Sequence, residues 1–266
     1  MTGIIDFHTH AFPDTLADRA MKSLEHGANT KAVLDGRLSS LIASMDRSDV
    51  DKSVVCSIAT KPSQFEPILQ WSSEIRSKRI IPLLSIHPAD SDCAEKVKIT
   101  KGEGFKGIKL HPFYQEFDID EGRMFHMYEL LCKENLLVAM HTGYDIAFPR
   151  IRKADPAKIL KVSEQFPELK LVTTHLGSWE QWQEVDTILA GKPVYMELSF
   201  SLEYLHSDPI RNILLKHPKE YLLFGTDSPW TDQAATLDLF LGLELGEGIE
   251  SAVLRENATR LLNSIE

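Results

Sequence analysis

The segment IIDFHTH, residues 4–10, is an apolar run that ends in two histidines two positions apart. Alternate residues of an extended strand point to the same side, so His8 and His10 would present two imidazole rings to one point. Neutral imidazole is the commonest metal ligand in proteins. The segment therefore predicts a first β-strand whose end carries part of a metal site, provided that further ligands occur elsewhere in the chain.

Outward from this strand, short apolar runs alternate with amphipathic stretches. The segment from Ala11 to Asp35 is predicted as a long loop with some helical character, and loops of that length are usually functional. Seven further strands are predicted at residues 53–58, 79–87, 105–111, 136–141, 169–175, 194–200 and 221–227. Helical spacing predicts helices at residues 36–48, 67–78, 90–101, 121–135, 156–166, 180–189 and 204–217, and from 236 to the end.

Eight strands alternating with helices over about 250 residues are typical of an α/β protein with a closed (β/α)8 TIM barrel. A doubly wound open sheet is the alternative. It would normally carry a glycine-rich phosphate turn after its first strand, and residues 8–13 contain no glycine. Because no linker or change of composition divides the chain, we expect a single domain over residues 1–266.

Composition limits the class of partner. The chain has 266 residues, 43% of them hydrophobic, and a formal net charge of −10. This acidic balance argues against nucleic acid and anionic membranes as partners. The first residues show no basic segment followed by a 7–15-residue apolar core, and no run approaches the roughly 18 apolar residues of a membrane span, so neither a signal peptide nor a membrane helix is predicted. We therefore expect a soluble cytoplasmic protein that acts on a small molecule, with a homodimer as the commonest state for such enzymes.

The three cysteines predict no structural disulfide. Cys56, Cys93 and Cys132 are odd in number, lie far apart and form no Cys-x-x-Cys pair. Cys56 is predicted to lie in a core strand, and the other two in helices.

Polar residues fall at the carboxyl ends of the predicted strands, where TIM barrels place their active sites. The set comprises His8, His10, His87, His111, His141, His175 and Asp227. Barrel closure would bring these strand ends into one ring. Each residue could instead be a capping or loop residue, since turns favour polar side chains.

Five members of this ring, namely His8, His10, His141, His175 and Asp227, are predicted to bind metal or to act in catalysis. Catalytic zinc sites combine histidine and carboxylate ligands around one open position. For His87, a role in the site and a role in packing or hydrogen bonding are equally compatible with the sequence. The remaining histidines, His26, His126, His206 and His217, are predicted to be surface or helix residues without a functional role.

Motifs at these positions resemble the amidohydrolase superfamily. They are DFHTH at 6–10, GIKLHP at 107–112, HTG at 141–143, THLG at 174–177, FGTDSPW at 224–230 and ENATRLL at 256–262. The chain is most similar to the amidohydrolase-related branch, which includes hydrolases and aminocarboxymuconate-semialdehyde-type decarboxylases. The resemblance spans almost the whole chain but does not specify a substrate.

This resemblance implies that His8, His10, His141 and Asp227 bind one divalent metal ion, usually Zn²⁺, with Mn²⁺ as the alternative. It also implies that His175 hydrogen-bonds the metal-bound water and moves protons. The chemistry of the residues agrees, because a metal lowers the pKa of bound water while a nearby imidazole or carboxylate accepts the proton. Asp227 could act both as a ligand and as the base.

Lys109 allows three interpretations. In this superfamily a carboxylated lysine on the fourth strand can bridge a second metal, and Lys109 lies near that position, one pleat below the strand end. We favour one metal, as is general in the branch that the chain resembles. Lys109 could otherwise bind a substrate carboxylate, or extend along the barrel wall as a structural residue. His111 shares its face of the strand and is grouped with it as a substrate-binding candidate.

Other side chains are candidates for support of the ligands and for substrate binding. Asp6 and Glu197 are predicted to orient ligand imidazoles, with Ser199 on the same face as Glu197; structural hydrogen bonds inside the barrel are the alternative role. The candidates for the substrate pocket are Tyr114, Tyr144, Arg150, Arg152 and Trp230.

The combined features predict a metal-dependent hydrolase that activates water for attack on an amide, lactone or related bond, with Asp227 and His175 handling protons. The close alternative is a non-oxidative decarboxylase, a carboxy-lyase that uses the same metal site. Known decarboxylases of this type tend to be longer, and this chain is compact, which favours hydrolysis. A barrel that only binds metal or ligand is disfavoured because every expected ligand position is occupied.

Overall fold

Eight parallel strands form the wall of the barrel in the computed structural model, which describes residues 3–265. Their bounds are β1 Ile4–Thr9, β2 Val50–Cys56, β3 Ile80–Leu83, β4 Gly107–Leu110, β5 Leu137–Met140, β6 Lys170–Thr173, β7 Tyr195–Glu197 and β8 Leu222–Leu223. Strands β1 to β3 pair in sequence order, and so do β4 to β8. Parallel bridges from Leu84 to Ile108 and from Thr9 to Ser228 join the two sheets. The predicted (β/α)8 TIM barrel is thereby confirmed.

Helices connect successive strands on the outside of this wall. Their bounds are α1 Asp14–Ala28, α2 Leu38–Arg47, α3 Phe65–Ile75, α4 Cys93–Gly102, α5 Gly122–Lys133, α6 Pro156–Gln165, α7 Trp182–Glu184, α8 Ser207–Lys216, α9 Gln233–Leu241, α10 Glu247–Ser251 and α11 Asn257–Asn263. Short 3-10 turns occur at Pro62–Gln64 and Lys219–Tyr221, and π-helical turns at Val185–Leu189 and Ala252–Glu256. Cys56, Cys93 and Cys132 lie in β2, α4 and α5, as predicted, and all three are free thiols.

The core lies both inside the barrel and between the strands and helices. All four residues of β5 and all four of β4 are buried. A strand covered on both faces has no solvent side, which explains why the apolar runs of the sequence are nearly continuous instead of alternating.

The segment from Ala11 to Asp35, predicted as a loop, is largely helical. Helix α1 spans 15 of its residues and buries Ala17 and Met21. These two residues are four positions apart and therefore lie on the same face of a helix. Their apolar signal is weak in the sequence because charged residues dominate the outer face. The helix is stabilised by covering the barrel mouth, which local propensity cannot show.

The carboxyl-terminal region also differs from prediction. The expected continuous helix after Thr236 is divided into α9, α10 and α11, and Gly246, with φ 88°, lies at the start of α10. Strand β8 is shorter than predicted. Its continuation still follows β1, because the Phe7 amide donates to the Phe224 carbonyl (2.8 Å) and the Asp227 amide donates to the His8 carbonyl (2.8 Å).

His217, predicted as a surface or helix residue, lies at the carboxyl end of α8 and is buried. Its Nε2 lies 3.0 Å from the Val194 carbonyl, directly before β7. The sequence contains no local signal for this contact, because its two partners are separated by 23 residues. Among residues 3–265, no helix combines the length and apolar character needed to cross a membrane.

Candidate metal centre and substrate pocket

Three predicted ligands meet where β8 closes against β1. His10 Nε2 lies 3.1 Å from Asp227 Oδ1 and 3.1 Å from His8 Nε2, while His8 Nε2 is 3.5 Å from the same carboxylate oxygen. His8 is buried in β1, His10 follows the end of that strand, and Asp227 follows β8. Two imidazole nitrogens and one carboxylate oxygen around a common point are a ligand set suited to a divalent metal ion.

Hydrogen bonds on the far sides of both rings aim the remaining nitrogens at this point. His8 Nδ1 lies 3.0 Å from Glu197 Oε1 and 2.9 Å from the Ser199 hydroxyl, and His10 Nδ1 lies 2.8 Å from the Cys56 carbonyl. A carboxylate or carbonyl can only accept, so each Nδ1 carries the proton and each Nε2 keeps its lone pair. Ligand histidines are typically oriented in this way, and the residues present therefore fit a metal ion.

The electrostatic environment keeps the ligands in the forms that bind metal. Burial, with the nearby positive charge of Lys109, lowers the pKa of His8 well below its usual value, so the imidazole is neutral. Burial alone would raise the pKa of Asp227, but any proton taken up by the adjacent His8 or His10 ring lowers that pKa well below its usual range, so Asp227 gives up its proton before these rings do. A neutral imidazole and an ionised carboxylate are what coordination requires.

Asp6 and Glu197 lie behind the ligands, where the sequence predicted supporting residues. Asp6 accepts hydrogen bonds from the Thr226 hydroxyl (2.6 Å) and from the Gln233 amide (2.7 Å), so it ties β1 to the segment after β8. Burial raises the pKa of Asp6 to about 7 despite these donors. Glu197 contacts His8 directly, and burial also raises its pKa.

His141 and His175 form a contacting pair beside this centre. His175 Nε2 lies 3.1 Å from His141 Nδ1, and the His175 ring centroid is 5.6 Å from that of His8. The other nitrogen of His141, Nε2, faces the Tyr144 carbonyl at 2.9 Å. His141 therefore lies beside the group formed by His8, His10 and Asp227 and is not one of its members.

Backbone strain marks two of the predicted functional residues. His175 has φ 58° and Asp227 has φ 63°, both in the left-handed region that non-glycine residues rarely adopt. The His175 amide is held by Glu197 Oε1 (3.0 Å), and the Asp227 amide by the His8 carbonyl (2.8 Å). Strain sustained by such bonds is common at functional sites.

A second group of possible ligands consists of His111, His141 and Asp145. His111 Nε2 lies 3.2 Å from Asp145 Oδ2, and the rings of His111 and His141 stack with centroids 4.1 Å apart. The Tyr114 amide points at His111 Nδ1 (3.5 Å), and the Tyr144 carbonyl faces His141 Nε2. Both Nε2 atoms are therefore hydrogen-bond donors, so this group is a hydrogen-bonded cluster and the His8 group fits a metal better.

Lys109 is buried close to the candidate metal centre. Only 1% of the residue is exposed, and its Nζ lies 3.1 Å from His8 Nε2. Although the sequence placed it one pleat below the strand end, the long side chain reaches the lining of the cavity. His87 does not line this cavity, and its Nδ1 accepts a hydrogen bond from the Ala89 amide (3.1 Å).

A cavity of about 200 Å³ opens above these residues. The predicted residues Tyr114, Tyr144 and Trp230 line it. Its other walls are mainly apolar and come from α1 and from the loops after β1, β5, β6 and β7. Lining residues that sequence reasoning did not name include Phe12, Met21, Leu24, Asp145, Ile146, Trp179 and Phe200.

The two arginines predicted for the pocket lie outside its lining. Arg150 forms an ion pair with Glu180 (2.8 Å), and its side chain is 68% exposed. Arg152 pairs with Glu184 (2.5 Å) and is also exposed. Neither guanidinium is placed to contact a substrate, because the loop after β5 turns their side chains toward the acidic residues that follow β6.

Gly143 determines how that loop leaves β5. Its φ is 89°, and a Cβ atom at this position would lie 2.0 Å from the Trp179 nitrogen. Only glycine therefore allows the backbone after His141 to approach the loop after β6. This close approach places Tyr144 and Asp145 in the pocket wall.

Comparison with known proteins identifies the family. The amidohydrolase family model matches residues 5–263, and the chain belongs to this family. A search of curated proteins finds no match.

Solved structures share the fold at low sequence identity. An uncharacterised TIM-barrel protein from Bordetella bronchiseptica is 21% identical, with 99% of both chains covered and a TM-score of 0.81. A dihydroxybenzoic acid decarboxylase from Polaromonas, with bound manganese and the inhibitor 2-nitroresorcinol, is 12% identical over 99% of this chain and 97% of that one, with a TM-score of 0.75. A 5-carboxyvanillate decarboxylase from Sphingomonas paucimobilis is 11% identical over 99% of both chains, with a TM-score of 0.72.

Proposed function

We propose that the chain is a metal-dependent decarboxylase of a small, mainly apolar molecule that carries a carboxylate. The observation that carries this proposal is the placement of a three-ligand metal group and a buried lysine together in an apolar pocket. The decarboxylases with the same fold support it. The preferred reaction therefore changes from the hydrolysis expected from the compact sequence to its alternative, since compactness reports on loop length and not on chemistry.

The carboxylate end of the substrate would lie beside His8, His10 and Asp227. A divalent ion held there, zinc or manganese, would act as a Lewis acid toward a substrate oxygen. Lys109 contributes a positively charged side chain beside His8, and a buried ammonium group is a strong partner for a carboxylate. The apolar walls would hold the remainder of the molecule and exclude water.

Decarboxylation breaks a carbon–carbon bond, releases CO2 and leaves an electron pair on the substrate carbon, which then takes a proton. Asp227 belongs to the group that would hold the ion, where its carboxylate would be kept ionised and would have no proton to deliver. His175 lines the pocket and contacts His141 through Nε2. We therefore assign the delivery of the proton to His175, with its ring held from behind by the Ser199 carbonyl, 3.0 Å from Nδ1.

The test is CO2 release from a panel of hydroxylated benzoates by protein reconstituted with zinc or manganese. His175→Asn should lower turnover by roughly 100-fold or more, the usual contribution of a positioned acid or base, without changing the metal content. If no member of the panel releases CO2, the proposal fails.

Hydrolysis remains the second candidate because of one observation. Asp227 is an ionised carboxylate within the metal group, so it could accept a proton from an attacking water. Turnover of lactones or amides by the same preparation, without CO2 release, would establish this reaction instead.

A further inference from the structure

Asp145 is a negatively charged side chain in the pocket wall that the proposed reaction does not use. Its Oδ1 accepts a hydrogen bond from the Ala147 amide at 2.8 Å, and its Oδ2 lies 3.2 Å from His111 Nε2. The side chain is 11% exposed, and that exposure is toward the cavity. Its oxygens contact donors only, as expected for an ionised carboxylate.

The position of this charge is fixed by its surroundings. His111 donates through Nε2 because its Nδ1 faces the Tyr114 amide. Phe148 packs against Phe113 and Tyr114 with ring centroids 5.3 and 4.9 Å apart, which attaches the loop after β5 to the loop after β4. Asp145 is therefore unable to withdraw from a ligand in the cavity without breaking these contacts.

The positively charged side chain of the pocket lies beside the group formed by His8, His10 and Asp227, and not beside Asp145. Among the described residues that line the cavity, Lys109 is the only lysine or arginine, and it lies beside His8. Arg150 approaches the Tyr144 ring, at 5.6 Å, but is paired with Glu180 outside the lining. One substrate carboxylate can thus pair with Lys109 and the ion near the metal group. A second carboxylate beside Asp145 would be repelled, because no cationic side chain lies there to compensate.

We propose that Asp145 is a specificity-determining residue that restricts the pocket to substrates with one carboxylate and excludes dicarboxylates. This inference rests on the proposed function only in placing the first carboxylate at the metal group. The remaining lone pairs of Asp145 can accept a hydrogen bond from a substrate hydroxyl or amino group. Charge, and not size, is then the basis of the discrimination.

Calorimetric titration of the zinc- or manganese-loaded protein at pH 8 tests this directly. The probes are 2-hydroxybenzoate, 5-carboxy-2-hydroxybenzoate and 5-carbamoyl-2-hydroxybenzoate. Like-charge juxtaposition is costly, so the dicarboxylate should bind at least about 10-fold more weakly than 2-hydroxybenzoate. The carboxamide has the size of the dicarboxylate without its second charge and should bind within about 3-fold of 2-hydroxybenzoate.

Variants separate the charge from the shape of Asp145. Asp145→Asn should reduce the discrimination between the first two probes to less than about 3-fold, and Asp145→Glu should retain it. Asp186→Asn, which removes an exposed acid paired with Lys216, is the matched control and should behave as wild type. Metal content and thermal unfolding establish that each variant is folded.

Several results would overturn the inference: equal affinity for 2-hydroxybenzoate and the dicarboxylate, undiminished discrimination in Asp145→Asn, weak binding of the carboxamide, or no binding of any probe. The three-probe comparison on the wild-type protein decides the matter even if a variant does not fold. Binding is measured independently of turnover. Selective binding without CO2 release would reject decarboxylation alone. CO2 release from 2-hydroxybenzoate and from the dicarboxylate at equal efficiency would reject the role of Asp145 alone.

Discussion

Glu197 connects the candidate ligand His8, the proposed proton carrier His175 and strand β7 through its two carboxylate oxygens. Oε1 contacts His8 Nδ1 (3.0 Å) and the His175 amide (3.0 Å), and Oε2 accepts from the Ser199 amide (2.7 Å). The residue has 1% exposure. It therefore fixes both the tautomer of a ligand and the strained backbone of His175.

Glu197→Gln should lower metal affinity by about 10- to 100-fold, because an amide orients and polarises the His8 ring less strongly than a carboxylate does. Competition with a chelator of known affinity measures the effect. Glu180→Gln, at an exposed acid outside the pocket lining, is the control. Unchanged metal affinity in Glu197→Gln would show that this carboxylate has only a structural role.

The sequence could predict that the side chains following β1 and β8 meet, but it could not predict that Asp145 lies in the pocket wall. The spacing of His8 and His10 on a strand determines their common direction, and the motif after β8 identified Asp227. Asp145 lies in an irregular loop whose path depends on the contact between Gly143 and Trp179, two residues that are far apart in the sequence. The exposed location of Arg150 has the same cause.

Helix α1 forms one side of the pocket, although it is distant in sequence from the walls that follow β5, β6 and β7. Met21 and Leu24 line the cavity, and a Cβ atom at Gly27 would lie 3.8 Å from Ala147 on the loop after β5. An element that covers a barrel mouth in this way is suited to restricting the size of the substrate.

Leu24→Ala should raise KM by about 5- to 30-fold with a smaller change in kcat, since it removes apolar contact with the bound substrate equivalent to about 1–2 kcal/mol. Steady-state kinetics on the substrate identified by CO2 release provides the measurement. Leu16→Ala is the matched control, because Leu16 lies on the same helix, is 40% exposed and does not line the cavity. A similar rise in KM for both variants would contradict a specific role of the Leu24 side chain.

Elements with a buried apolar pattern were predictable, and those formed through tertiary contact were not. All eight strands appear where apolar runs occur, because burial on both faces requires them to be apolar. The amphipathic signal of α1 was hidden by its charged outer face, and only Ala17 and Met21 are fully buried. The short β8 pairs with β7, and its continuation bonds to the adjacent β1, a contact that depends on closure of the whole wall.

The stability of the whole molecule should depend on pH through His217. Burial lowers the pKa of this histidine from 6.5 to about 4. A depressed pKa in the folded state means that the unfolded chain binds a proton first as pH falls. The contribution of neutral His217 to the free energy of unfolding is thus present above about pH 6.5 and decreases as pH falls toward 4, by about 3 kcal/mol in total.

His217→Gln should therefore flatten the pH dependence of the free energy of unfolding between pH 7 and pH 4, because glutamine carries no titrating group. Its amide can still donate to the Val194 carbonyl. Denaturant titrations at several pH values measure the difference from wild type. His126→Gln, at an exposed histidine of α5, should leave the pH profile unchanged. Identical profiles for wild type and His217→Gln would refute the expected linkage.

Metal binding should also stabilise the entire barrel. A ligand that binds only the folded state adds about 2.7 kcal/mol to the free energy of unfolding at a free concentration 100 times its Kd. Zinc or manganese should accordingly raise the midpoint of thermal unfolding, and His8→Ala should abolish most of this increase. A rise of equal size in His8→Ala would indicate that the ion binds elsewhere.

The closure of β8 against β1 has a consequence for the order of assembly. His8 and His10 lie near the beginning of the chain and Asp227 near its end, and their ligand atoms approach one another only when the last strand has docked on the first. A nascent or partly folded chain would offer a metal ion at most two imidazoles from β1. Tight metal uptake would therefore be a late event in folding, and a bound ion would link two strands more than 200 positions apart and oppose their separation where the barrel closes.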